Sequence, residues 1–176
     1  MVYNKKNNLG GERSMSIGYT LFMKDRRLTK EILLSKLSEM GWFHTSIDVL
    51  PKGGIRLSFE KQVGAYIYLF HTERENKVYE MQFLNEMMLY SNVLDFELVK
   101  DYPNECYEDR HKNIFKIIFE LMYGLREQAL LVHYSSFEMC FFSEEQMVII
   151  NKECALWNEG FLKYCLRQFP NRCIMK

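Results

Sequence analysis

Glycine and proline are scarce in this chain, at nine and three of 176 residues. The glycine pairs at 10–11 and 53–54 stand in no phosphate-loop context, so nothing here calls for a nucleotide. No run of eighteen apolar residues occurs, so no membrane span is expected. A surplus of one charge sign is also missing, since 23 basic and 23 acidic residues leave a formal net charge of zero. A domain that grips nucleic acid by its phosphates carries a basic surplus, so direct nucleic-acid binding is not expected. The five cysteines (Cys106, Cys140, Cys154, Cys165 and Cys173) share no CxxC spacing, and the four histidines enter no His-Glu-x-x-His pattern. Neither a metal nor another cofactor is therefore expected. The opening MVYNKKNNLGGERS lacks the apolar core of a secretion signal, which points to a cytoplasmic address and reduced thiols.

Apolar residues make up 48% of the chain and aromatics 15%, enough for one domain with a real core. A flexible tail over 1–14, a single domain over 15–170 and a tail over 171–176 are expected. SIGYTLFM alternates as a first strand, and LTKEILLSKLSEMG follows as a helix with Thr29 as its cap and Gly41 just past its end. IRLSFE and GAYIYLFHT read as paired strands, the second apolar on both faces as in a central strand. VYEMQFLNEMMLYSN fits strand and helix alike, whereas VLDFELVKDY returns to alternation. Ile114, Ile117, Ile118, Leu121, Met122 and Leu125 give the longest helix its inner stripe, with Asn104 as the expected cap. A three-stranded meander and a short helix over WNEGFLKYCLRQF complete the chain. The fold class is α+β, a largely antiparallel sheet packed by one long and two shorter helices.

The meander ALLVHYSSFEMCFFSEEQMVIIN places a histidine, a cysteine, glutamates and an asparagine close together. With turns at Ser135–Ser136 and Glu144–Glu145, one face holds Leu130, Val132, Tyr134, Phe137, Met139, Phe141, Val148 and Ile150. That is the expected core face. The other holds Leu131, His133, Glu138, Cys140, Phe142, Met147, Ile149 and Asn151, with His133, Glu138 and Asn151 in one cross-strand row. Cys140 has apolar neighbours and no base beside it, so its thiol is not an activated nucleophile and no enzyme is expected. Leu131, Phe142, Met147 and Ile149 leave the outer face apolar, so a further layer or a partner must cover it.

Charge is unevenly spread. From Glu73 to Asp109 the chain has ten acidic and three basic residues, a local net of minus seven. Beyond Glu159 it has Lys163, Arg167, Arg172 and Lys176 and no acid.

The segments SIGYTLFM, LTKEILLSKL, VLDFELVKD, NIFKIIFELMYGL, ALLVHYS, EMCFFSE and QMVIIN, closed by Trp157 and GFLKYCL, occur in an order that resembles one family. It is that of the small immunity proteins of bacterial polymorphic or contact-dependent toxin systems, in particular those of the swarming-inhibition (Sit) toxin system. The segment from Arg56 to Asn92 is longer and more aromatic than that pattern. The resemblance implies a non-enzymatic protein that holds one cognate toxin domain in a one-to-one complex. It carries no catalytic residues over, so candidate contacts come from charge and exposure. One candidate surface is acidic (Glu105, Glu108 and Asp109, with Glu73, Glu75 and Glu80), suited to the basic channel of a nuclease toxin. The other is the outer meander face, with Phe142 and Met147 as apolar anchors beside Glu144 and Glu145. The alternative reading is a regulatory or ligand-binding domain that self-associates, as a homodimer, through that outer face.

Overall fold

Alternating apolar and polar residues become strands along most of this chain, and the two strongest 3.6-residue stripes become helices. The computed structural model describes residues 18–72, 77–100, 102, 107–133, 137–154, 167 and 172–176. In order they form β1 (Gly18–Met23), α1 (Lys30–Glu39), β2 (Ser46–Val49), β3 (Ile55–Phe59), α2 (Glu60–Val63), β4 (Ala65–His71), β5 (Lys77–Met81) and β6 (Glu86–Tyr90). Then come β7 (Asn92–Leu98), α3 (Tyr107–Leu125), β8 (Ala129–His133), β9 (Phe137–Phe142), β10 (Val148–Ile150) and β11 (Cys173–Met175). The Thr29 hydroxyl accepts the Ile32 N–H at the start of α1, and Gly41 takes a φ of 77° just past its end. The expected cap Asn104 and nearly all of the expected helix at WNEGFLKYCLRQF lie outside the described residues.

Nine strands form one sheet in the order β11–β10–β9–β8–β1–β7–β4–β3–β2, every neighbour antiparallel except β10 with β11. The fold is thus α+β, and β8, β9 and β10 form the expected meander. Two segments differ from expectation. Cys173–Met175, read as tail, adds an edge strand beside β10. The ambiguous stretch after Asn76 is a hairpin, β5 pairing β6 with Val78 opposite Leu89 and Glu80 opposite Met87. Asn85, in its turn, has a φ of 53°, a left-handed conformation that asparagine tolerates.

The sheet is covered on one side by α1 and α3, and on the other, over β1, β8 and β9, by the hairpin. On one, Leu21, Met23, Leu57, Phe59, Ile67, Phe96, Leu131 and Phe142 share a core with Leu33 and Leu37 of α1 and with Ile114, Ile118 and Leu121 of α3. On the other, Phe22, Leu130, Val132 and Phe141 pack against Met81, Met88 and Tyr90 of the hairpin. The expected core face of the meander is therefore divided between the two sides, for two physical reasons. A bulge between Leu131 and Val132 sets Val132 opposite Glu138, so Met139 is the extra residue. The loop after β9 then sets Val148 rather than Met147 opposite Phe142. That one-residue slip turns Val148 and Ile150 toward the helices and Ile149 toward the hairpin.

Candidate binding surface

The bulge also takes apart the polar row expected along the meander. His133 faces the helices, its ring 4.8 Å from that of Tyr19, whose hydroxyl is hydrogen-bonded to Nδ1 of His111. Burial lowers both histidines to a pKa of about 4, so both rings are neutral at physiological pH. Glu138 faces the hairpin, where its two oxygens accept the N–H groups of Gln82 and Phe83, each at 2.9 Å. Asn151 donates to the Glu138 backbone carbonyl at 2.8 Å. Glu138 is thus a clamp that fastens the hairpin turn to β9. Cys140, fully buried, has Leu131 and Ile150 as ladder partners, and burial pushes its thiol well above the ordinary range. So placed, it is not an accessible nucleophile.

The acidic candidates do not gather on one patch among the described residues. Glu73, Glu75 and Glu105 lie outside those residues, as does the side chain of Glu108 in the first turn of α3. Asp109 is exposed and lies 3.5 Å from the ammonium of Lys112. Glu80 is exposed on the hairpin, across the sheet from α3. Glu144 makes an exposed ion pair with Lys24 at 2.8 Å, and Glu145 is exposed in the turn that follows. Met147 is half-buried. Phe142 is 3% exposed and meets Phe119 of α3 edge to face at 5.3 Å, so it is a core residue and not the exposed anchor expected. The outer meander face on which the self-association reading relied is split, with Leu131, Cys140 and Phe142 in the core shared with the helices and Ile149 packed beneath the hairpin.

What remains open is the neighbouring half of the same face. Beyond Val93 no described element packs over β7, β4 and β3 in the manner of the hairpin. Their outward residues form cross-strand rows, Asp48–Arg56–Tyr68–Asp95–Thr20 and Ser58–Tyr66–Glu97. The Arg56 guanidinium lies 4.1 Å over the Tyr66 ring, and its Nη1 is 3.5 Å from Asp48. Tyr68 donates to Glu97 at 2.6 Å, Tyr66 to Glu60 at 2.8 Å, and Thr20 to Asp95 at 2.7 Å. The Tyr68 and Phe70 rings stack nearly parallel, 5.9 Å apart. Burial, followed by the Glu97 hydrogen bond and charge, pushes the Tyr68 hydroxyl far up, so it stays a donor.

This surface offers half-buried rings, one arginine and four carboxylates, Asp48, Asp95 and Glu97 on strands and Glu60 at the start of α2. Tyrosine and arginine are the residue types that dominate interface energies, and strands hold them in place before a partner arrives. Reading β4 as apolar on both faces missed it. The signal was the alternation of Tyr66, Tyr68 and Phe70 against Asp95 and Glu97.

Comparison with protein-family models, with curated proteins and with solved structures finds no match to this chain.

Proposed function

We propose that this chain is an immunity protein, which holds one cognate toxin domain in a non-covalent one-to-one complex and blocks it without chemistry of its own. The observation that carries the proposal is the open sheet face of Arg56, Tyr66, Tyr68, Asp95 and Glu97. Its aromatic rings supply contact area at little entropic cost, and its four carboxylates against one guanidinium suit a basic partner. A nuclease toxin, with a substrate channel built for phosphates, has that character. An opening strand and helix, a long helix and a meander are in keeping with the resemblance to the Sit immunity family.

The test is co-expression with the product of the neighbouring upstream reading frame. Rescue of growth and co-purification in equal amounts are expected. Tyr66→Ser combined with Asp48→Lys is expected to weaken the complex at least about tenfold while circular dichroism stays unchanged. Unchanged affinity in that variant removes the sheet face as the docking site. A concentration-dependent dimer that ignores the neighbouring product supports the self-associating domain instead.

A further inference from the structure

The turn of the β5–β6 hairpin, the start of β9 and the loop after β10 meet around a cleft of about 280 Å³, lined by Gln82, Phe83, Phe137, Glu138, Glu153 and Cys154 along with Asn151. We propose that this cleft binds the guanidinium of an arginine side chain presented by a partner polypeptide. It is separate from the open sheet face, and the proposal holds whether or not that partner is a toxin.

The chemistry of the lining selects the ligand. Each Glu138 oxygen already accepts one turn N–H and keeps a second acceptor direction. Both ends of the Asn151 amide are engaged, Nδ2 with the Glu138 carbonyl at 2.8 Å and Oδ1 with the Glu153 N–H at 3.0 Å. Glu153 brings a second carboxylate at the exposed side, and no lysine, arginine or histidine is among the described residues that line the cleft. The cleft therefore presents carboxylate acceptors and aromatic faces, with no balancing cation among the described residues that line it.

An anion is repelled there, and a neutral apolar group would desolvate the carboxylates without giving them a partner. A metal ion is not favoured either, since no group of three acidic, histidine or cysteine side chains that could hold one occurs among the described residues. A guanidinium meets both demands, since its planar face stacks on a ring while its forked N–H groups reach carboxylates. Phe137, 55% exposed at the rim, is placed for the stacking role.

The test is a titration of the ¹⁵N-labelled full chain with N-acetyl-arginine amide, followed by amide chemical shifts. N-acetyl-citrulline amide serves as the uncharged counterpart, and free arginine as the zwitterion that the two carboxylates disfavour. Saturable shifts are expected at Gln82, Phe83, Asn151 and Glu153, with citrulline at least about tenfold weaker. Phe137→Ser and Glu153→Gln alter exposed side chains, so the fold should persist. Each is expected to weaken binding by about two- to fivefold, the scale of an exposed cation–π contact for Phe137 and of an exposed ion pair for Glu153. Equal shifts with citrulline, or shifts that survive both substitutions, overturn the proposal. Free arginine binding as well as the capped form overturns the chain-borne source. If the double variant still captures the neighbouring product and no arginine binding is seen, the cleft falls and the immunity reading stands. Saturable arginine binding by a protein that ignores that product does the reverse.

Discussion

Replacing Glu127 by glutamine isolates one buried charge in the link between α3 and β8. The Glu127 side chain belongs to a residue 1% exposed, and its Oε2 accepts the Asp25 N–H at 3.0 Å. Its Oε1 has no hydrogen-bond partner among the described residues. Burial pushes the carboxyl up from 4.5 to about 7, helped by the Asp25 charge and opposed by the Asp25 N–H and Arg27. The folded state therefore holds a proton that the unfolded chain has already released. This proton linkage stabilises the fold fully below about pH 4.5, and the benefit is lost as pH rises through about 7. Raising the pKa from 4.5 to about 7 is worth about 3 kcal/mol. Glutamine has the same shape, keeps an acceptor for the Asp25 N–H and never ionises.

His111 and His133 tilt the same curve the other way. Their folded pKa of about 4 lies below the ordinary 6.5, so the stability they contribute is present above 6.5 and lost as pH falls toward 4. The wild-type curve alone mixes these trends, whereas the difference between variant and wild type isolates Glu127. Urea unfolding followed by fluorescence, with Trp42 buried in the core as one reporter, measures that difference from about pH 4.5 to about pH 8. It should grow from near zero to about 3 kcal/mol in favour of Glu127→Gln, a midpoint shift of at least about 1 M urea. A difference that does not vary with pH, or a variant less stable than wild type at the alkaline end, refutes the reasoning.

Glu138→Ala strips the Gln82 and Phe83 amides of their acceptor and should cost about 2–5 kcal/mol for the two. Hydrogen exchange should then open the β5–β6 hairpin ahead of the β1–β8 ladder, and a uniform loss of protection would show that no local clamp exists. Phe142→Ala should cost about 3–5 kcal/mol in a urea melt, as a core truncation beside Phe119. A loss near zero would restore Phe142 to the surface. Cys140 should resist an aromatic disulfide reagent until the protein unfolds, and rapid labelling of the folded state would contradict its burial.

The parts of the fold legible in the sequence are those set by local rules. Thr29 and Gly41 mark the ends of α1 by capping chemistry, and the isoleucine stripe of α3 is buried as its spacing demands. The pairing of Leu131 with Cys140 also follows from the pattern. What was not legible depends on single-residue insertions. The bulge at Leu131/Val132 and the slip that sets Val148 opposite Phe142 each reverse faces, and a meander apolar on both faces offers no polar residue to reveal the reversal. The hairpin stayed ambiguous because Met81, Phe83, Leu84 and Met88 fit a helical stripe as well as a strand. Asn85, with its left-handed backbone, was the one local signal of a turn.

The location of the candidate surface follows from unequal coverage. Nine strands about 4.8 Å apart make a sheet roughly 40 Å wide, and a two-stranded hairpin spans only a small part of that width. The hairpin packs where Phe22, Leu130, Val132 and Phe141 are apolar, and no other described element packs in that manner over the outward residues of β3, β4 and β7. A face meant only for water is well served by threonine, lysine and glutamate. This one instead holds Tyr66, Tyr68 and Phe70 half-buried, with an arginine laid over a ring and a tyrosine hydroxyl bound to Glu97. Each of those contacts fixes a side chain without removing its outer surface from solvent, which lowers the entropy lost when a partner arrives. That preorganisation, rather than exposed apolar area, distinguishes the open half of the sheet from ordinary surface.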